Sequence, residues 1–339
     1  TEAHIYEVND LGIIITKPRT NVQPEVPIDI VYTKPGLYEA DGSIHKIHTP
    51  NPVIGKTLNV IDFGARPNED DFDNRPAIQA AINAANPGDE VYIPNGVYHL
   101  ISPSEQDSRR NLILKSKVNI RGESQDGVQL ISHFDKELSS RVFRILGENN
   151  IIISDIAISS TFNGQYSDDH RINNPEAAGP VNGIFIEDRA VPGRQEPSYN
   201  ITIDRVTVEK FQRMGVRISK SHDIVVRNST FKNATDVGGG GAGYGVTIQG
   251  EGNKRDRLGY ANDTRFNVVE NNTFMGPYIR HGALIQYYAH NNIVRDNYFE
   301  NTRLDAIDLH GEDEYLNEIY NKRYNNWSRY RSRQYWCYT

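Results

Sequence analysis

The chain has 339 residues, a formal net charge of -7 and a 37% hydrophobic share, low for a compact α/β enzyme but suited to a solenoid with a narrow core. It has no apolar run of about 18 residues, so no membrane helix is expected, and its acidic balance argues against general nucleic-acid binding. Cys337 is the single cysteine, which excludes an internal disulfide and a Cys-x-x-Cys metal site.

Residues 1–57 place Pro and Thr among short apolar runs such as Leu11-Gly-Ile-Ile-Ile-Thr16. They read as an extended arm laid on the domain, with room for a short strand, ahead of one domain over 58–339. The chain opens on Thr1 without a signal-type segment, as a processed mature form would. Asn59-Val-Ile-Asp-Phe-Gly-Ala65 begins the domain. In Arg75-Pro-Ala-Ile-Gln-Ala-Ala-Ile-Asn-Ala-Ala85, residues Ile78, Ala81, Ile82 and Ala85 share one face and Pro76 sits in the first turn, which predicts an amphipathic helix. Gly88-Asp-Glu-Val-Tyr-Ile-Pro-Asn-Gly-Val-Tyr98 predicts strand, turn and strand. These motifs resemble the first-coil module of the pectate-lyase-like superfamily. The resemblance implies an all-β fold, a right-handed parallel β-helix with an N-terminal capping helix. It leaves the reaction open, because lyases, hydrolases, epimerases and phage tailspikes share that fold.

A repeat supports the same fold independently. Asn or Asp followed by branched apolar residues recurs at Asn119, Asn150, Asn200, Asp223, Asn267, Asn292 and Asn317, at intervals of about two dozen residues or about twice that. Asn suits tight bends because it tolerates left-handed backbone geometry.

A second strand pattern, Gly or Ala followed by apolar-x-apolar, appears at Gly183–Glu187, Gly215–Ser219, Gly245–Gln249, Gly282–Gln286 and Ala306–His310. Alternation sends Val216, Ile218, Val246, Ile248, Ala283 and Ile285 inward and their neighbours to solvent. Three outward columns follow: Asn182, Met214, Tyr244, His281 and Asp305; Phe185, Arg217, Thr247, Leu284 and Asp308; Glu187, Ser219, Gln249, Gln286 and His310. The insertions Thr161–Pro180, Gly238–Gly243 and Glu251–Thr264 would wall this face into a groove for a polymer. The run Gly238-Gly-Gly-Gly-Ala-Gly would let a substrate approach the backbone closely.

Tyr244 and His281 share one register, with Arg280 adjoining. Removing a proton alpha to a carboxylate needs a base, an acid for the leaving oxygen and neutralisation of the carboxylate. Tyr244, His281 and Arg280 are the catalytic candidates; Arg217, Gln249, Gln286, Lys254 and Tyr288 are candidates for holding substrate. A divalent cation, calcium or magnesium, is an alternative partner for the carboxylate. The bland readings are packing for the Tyr, surface polarity for the His, and polar surface for Asp305, Asp308 and His310.

The Tyr/His pairing resembles β-helix alginate lyases of the polysaccharide lyase family 31 type. The resemblance implies Tyr244 as base and His281 as acid, although such enzymes usually carry Lys at the His281 position. It further implies a secreted, monomeric enzyme that cleaves an anionic uronate polysaccharide, alginate for preference, by β-elimination. Neither the Asp-Pro-His-Glu motif of mannuronan C5-epimerases nor the paired Asp and Gly-His-Gly turn of polygalacturonases is present. A C5-epimerase uses the same proton abstraction and stays an alternative. So do a glycoside hydrolase using Asp305, Asp308, Glu187 or Asp236, and a non-catalytic, tailspike-like carbohydrate-binding module.

Overall fold

In a computed structural model, residues 44–47, 50, 55–135, 139–250, 264–287 and 289–310 are described, along with the strands 4–8, 14–18, 37–38, 318–320 and 323–325. Lys254, Tyr288, Asn317 and the tail 326–339 with Cys337 lie outside them. The chain divides into two compact units, Thr1–Lys46 and Ile47–Thr339. The first holds two antiparallel pairs, His4–Val8 with Ile14–Pro18 and Leu37–Tyr38 with Ile44–His45, where the sequence left room for a short strand.

The second unit begins its parallel strands at Thr57–Asn59 and winds them into stacked coils. A seven-stranded parallel sheet forms one face; a fifteen-stranded sheet forms the others, because Asn149–Ser160 and Tyr199–Val208 each run through a corner and pair on both sides of it. This is a parallel β-helix, with the right-handed winding that such crossovers favour. The expected helix α1, Arg75–Ala84, buries Ile78, Ala81 and Ile82 against the first coil, with Pro76 in its opening turn.

Corners are columns of left-handed residues. Asn150, Asn200, Asp223, Phe266 and Asn291 share one corner at φ 53–56°, and Asp155, Arg205, Asn228, Asn271 and Asp296 share another at φ 52–60°. Asn and Asp predominate because a short polar side chain tolerates this geometry. The Asn repeat therefore does not form one column, and Asn119, level with Ile152, stands apart from the rest. Asn150, Asn200 and Asp223 are corner residues, whereas Asn267 and Asn292 lie one position later, level with Ile151, Ile201 and Ile224, and point into the stack. There Asn267 donates from its backbone N and Nδ2 to Asn292 Oδ1, at 3.0 Å each, and accepts from Ile224 N at 3.1 Å. A parallel ladder links Ser229, Asn272 and Asn297.

Two residues beyond the second ladder, Phe231, Phe274 and Phe299 stack with centroids 5.2 and 4.9 Å apart. Their rings occupy the space that a Cβ on Gly215, Gly245 or Gly282 would need, at 2.6, 2.5 and 2.3 Å. Those glycines head the apolar-x-apolar strands. Their role is to admit the Phe ladder.

Asn272 also donates from Nδ2 to Val226 O at 2.9 Å, so its loss strands several buried groups. Asn272→Ala is expected to lower the unfolding free energy by about 3 kcal/mol, since buried groups left without partners cost about 1–3 kcal/mol each. Urea unfolding measures this, and a loss below about 1 kcal/mol would show the ladder to be dispensable.

Candidate active site

The seven-stranded sheet consists of Arg110–Ile113, Arg141–Leu146, Asn182–Glu187, Met214–Ser219, Tyr244–Gln249, His281–Gln286 and Ile307–His310. Val216, Val246 and Ala283 face the core in register, as do Ile218, Ile248 and Ile285. The outward columns pair as the sequence predicts: Asn182 with Met214, Met214 with Tyr244, Tyr244 with His281; Phe185 with Arg217, Thr247, Leu284 and Asp308 in succession; Ser219 with Gln249, Gln286 and His310.

The expected exposure of these columns is overturned. Phe185, Met214, Tyr244, Thr247, His281, Leu284 and Gln286 are all buried. Met214, Tyr244 and Leu284 make an apolar cluster on the outside of the sheet. Alternation gives direction relative to the coil and cannot show what the insertions lay over it.

Two insertions interlock beside this face. Asp236 accepts from Asn173 Nδ2 at 2.7 Å, from Asn174 N at 3.0 Å and from Gly238 N at 2.8 Å. A Cβ on Gly238 would lie 2.2 Å from the Ile172 carbonyl oxygen, so this glycine serves loop packing and not approach of a substrate. The Arg280 guanidinium closes the knot, its Nη1 donating to the carbonyls of Gly238, Val237 (3.3 Å) and His170 (3.4 Å).

At the centre, the Tyr244 and His281 rings stack with centroids 5.5 Å apart and planes 15° from parallel. His281 Nδ1 lies 3.1 Å from the Asp305 carbonyl oxygen, which can only accept, so Nδ1 carries a proton. Its Nε2 lies 3.7 Å from Asp308 Oδ2. Burial raises the Tyr244 pKa above the ordinary phenol value; Arg280 and Arg213 pull it down, Asp308 and Tyr287 add to the rise, and burial prevails. Arg280, next to His281 in the chain, favours ionisation of the phenol, but burial outweighs it.

Gln286 Nε2 donates to Gln249 Oε1 at 3.0 Å, binding two further candidates to each other. Arg217 lies over the Phe185 ring and 3.9 Å from Glu187. His290 is engaged at its turn, 2.6 Å from Asn291 Oδ1. Lys254 and Tyr288 fall outside the described residues. Among the described residues, no group of three or more His, Cys, Asp or Glu is placed to hold a metal ion. Sequence reasoning missed Arg110, Arg141 and Arg144, which extend the same outward columns towards the N-terminal coils.

A family model for rhamnogalacturonase A/epimerase, pectate lyase-like proteins matches residues 57–328, and the chain belongs to that family. It is similar to mannuronan C5-epimerases AlgE1 and AlgE3 of Azotobacter vinelandii, 28% identical to each over 219 residues. That stretch is 62% of this chain but 14% and 11% of those proteins, so the chain spans a small part of their length. Among solved structures, an alginate lyase from Paenibacillus sp. str. FPU-7 superposes with a TM-score of 0.50 at 14% identity, over 79% of this chain and 74% of that one. The catalytic unit of a GH87 alpha-1,3-glucanase from Streptomyces thermodiastaticus strain HF3-3 gives a TM-score of 0.54 at 15% identity, over 81% and 42%. At these identities the structures establish the shared fold.

The buried phenol has a titration signature. The alkaline difference spectrum between the wild type and Tyr244→Phe is expected to show one phenol ionising above pH about 10, and Arg280→Gln is expected to move it higher. Because the folded-state pKa is the raised one, the stability it brings is complete below pH about 10 and fades as pH climbs through the folded value. A Tyr244 phenol that ionises at or below the ordinary value would refute this account of the site.

Proposed function

We propose that this chain acts on a uronate-containing polysaccharide by moving the C5 proton of a sugar residue, with Tyr244 and His281 as the proton-transfer pair. The observation that carries the reading is the in-register stack of the two rings, with His281 held at Nδ1 by the Asp305 carbonyl and faced at Nε2 by Asp308.

The raised pKa of Tyr244 assigns the roles. The buried Tyr244 keeps its phenolic proton and is ready as an acid. His281, which donates from Nδ1 to the Asp305 carbonyl, is assigned as the base through Nε2, and Asp308 facing that nitrogen stabilises the imidazolium that results. This reverses the assignment implied by the alginate lyase resemblance, and burial is the reason. In β-elimination, His281 Nε2 takes the C5 proton and the C5–H electron pair passes into the carboxylate as an enolate. That pair then returns to form the C4–C5 double bond as the C4–O4 bond breaks, and Tyr244 protonates the departing O4. Arg280, Arg217, Gln249 and Gln286 are the described groups available to neutralise the carboxylate and hold the sugar. No step is routed through a cation.

Lyase action on alginate is the favoured form. Epimerisation is the second, supported by the 28% identity to mannuronan C5-epimerases: the same abstraction would be followed by return of a proton to C5 from the other side. A hydrolase is less well served, because Asp236 is committed to three donors and Asp308 faces His281. A polymer too large to enter a cell implies a secreted enzyme, which we take to act as a monomer.

The test incubates the protein with polymannuronate, polyguluronate, polygalacturonate and dermatan sulfate, with and without a chelator. Ultraviolet absorbance of unsaturated uronate reports elimination, and proton NMR of the mannuronate-to-guluronate ratio reports epimerisation. Tyr244→Phe and His281→Gln variants with unchanged circular dichroism are each expected to lose about 10²–10⁴-fold in rate, the usual contribution of a positioned acid or base. With Tyr244 as acid, activity should fall as pH rises through the Tyr244 pKa. Reducing ends without unsaturation would select a hydrolase, and no change in any polymer would overturn the reading.

A further inference from the structure

Towards the N-terminal coils, the column that holds Tyr244 and His281 continues through Met214 and Asn182 to Arg141 and Arg110. The adjacent column brings Arg144 and Arg217 to either side of Phe185. The guanidinium carbons of Arg141, Arg217 and Arg110 lie 4.0, 5.1 and 5.8 Å from the Phe185 ring centre. Three cations thus crowd around one aromatic ring, and Arg144 stands next to it in the column.

Few acids answer them. Asp107 lies 3.6 Å from Arg110 and Glu187 lies 3.9 Å from Arg217, while Arg141 and Arg144 make no ion pair among the described residues. Several buried donors lack any hydrogen-bond partner: Nε of Arg110, Arg141, Arg144 and Arg217, and Nη1 of Arg141. Asn182, only 1% exposed and next to Arg141 in the column, has neither its Oδ1 nor its Nδ2 satisfied. Burial, with mutual repulsion behind it, pulls Arg141 down to about 9; burial brings Arg110 to about 10 and lowers Arg144 and Arg217.

The opposite sheet shows how this protein handles arginines that serve structure. There Arg121 meets Glu90 at 2.8 Å, Arg205 meets Asp155 and Asp204 at 2.6 Å, and Arg295 meets Glu270 at 2.6 Å. Buried charge without such partners is costly and offers a gain to any anion that completes it.

We propose that Arg110, Arg141 and Arg144, with Asn182, form a binding site for the carboxylate or sulfate groups of an acidic polysaccharide, remote from the Tyr244 and His281 pair, with Arg217 one coil from that pair linking the two. Arg141 and Tyr244 are three coils apart, about 14 Å at the ~4.8 Å spacing of paired strands. A pyranose unit is about as long as one coil is high, so a chain laid along the stack would reach the arginines a few residues away from the reacting one. That placement rests on the proposed function, whereas anion binding itself does not.

The test measures binding calorimetrically in the Tyr244→Phe background, where no turnover interferes, using polymannuronate, dextran sulfate and neutral dextran at several salt concentrations. Adding Arg141→Gln should weaken binding of an anionic polymer about tenfold or more, the scale of charged hydrogen bonds lost. The salt dependence should become shallower, neutral dextran should be unaffected, and Arg144→Gln should act in the same direction. Arg141→Lys should keep most of the salt dependence. Binding confined to polymannuronate marks a carboxylate site, and binding confined to dextran sulfate marks a sulfate site. The proposal is overturned if folded Arg141→Gln and Arg144→Gln proteins both bind as their parent does, if neutral dextran is lost equally, or if no anionic polymer binds. Arginine-dependent binding by a protein that transforms no polymer would sink the proposed activity and leave this site standing.

Discussion

Everything in the second unit depends on coils lying one above another in register. Parallel pairing fixes each residue directly over its counterpart, so a choice made in one coil is repeated or answered about 4.8 Å away. The left-handed corners keep this register by turning the chain at the same point in coil after coil, and the Asn and Phe ladders fill the space those corners enclose. A side chain can become part of a site here only by belonging to a column.

That rule explains how much was legible in advance. The Tyr244 and His281 pairing could be read from sequence because Gly245 and Gly282 begin strands of one recognisable form, and aligning the strands aligns what precedes them. Arg110, Arg141 and Arg144 were not legible because their strands, Arg110–Ile113 and Arg141–Leu146, lack the leading glycine. The marker disappears there while the column continues. Helix α1 was legible in full because the spacing of Ile78, Ala81, Ile82 and Ala85 is a local property.

The rest was hidden for other reasons. The Asn repeat looked uniform although it joins a backbone requirement at Asn150 and Asn200 to an inward hydrogen-bonding requirement at Asn267 and Asn292, and one letter served both. Burial of the outward face, and hence the raised pKa of Tyr244, depends on insertions anchored through Asp236 and Arg280, whose partners are mostly backbone atoms. Such contacts leave little trace in residue identity. Arginines closely paired with acids on one sheet, and Arg141 and Arg144 without an ion pair on another, are also indistinguishable until the fold brings their neighbours into view.

The glycine and phenylalanine interlock has a wider consequence. Because Gly245 and Gly282 yield their side-chain space to Phe274 and Phe299, the inward half of each strand start is committed to the scaffold while the preceding residue stays exchangeable. Evolution can rewrite the letter before such a glycine without renegotiating the interior, much as type is changed in a fixed frame. One winding of chain can in this way pass from one chemistry to another by substitution at a few outward addresses, which is how a single architecture comes to serve a lineage of divergent enzymes.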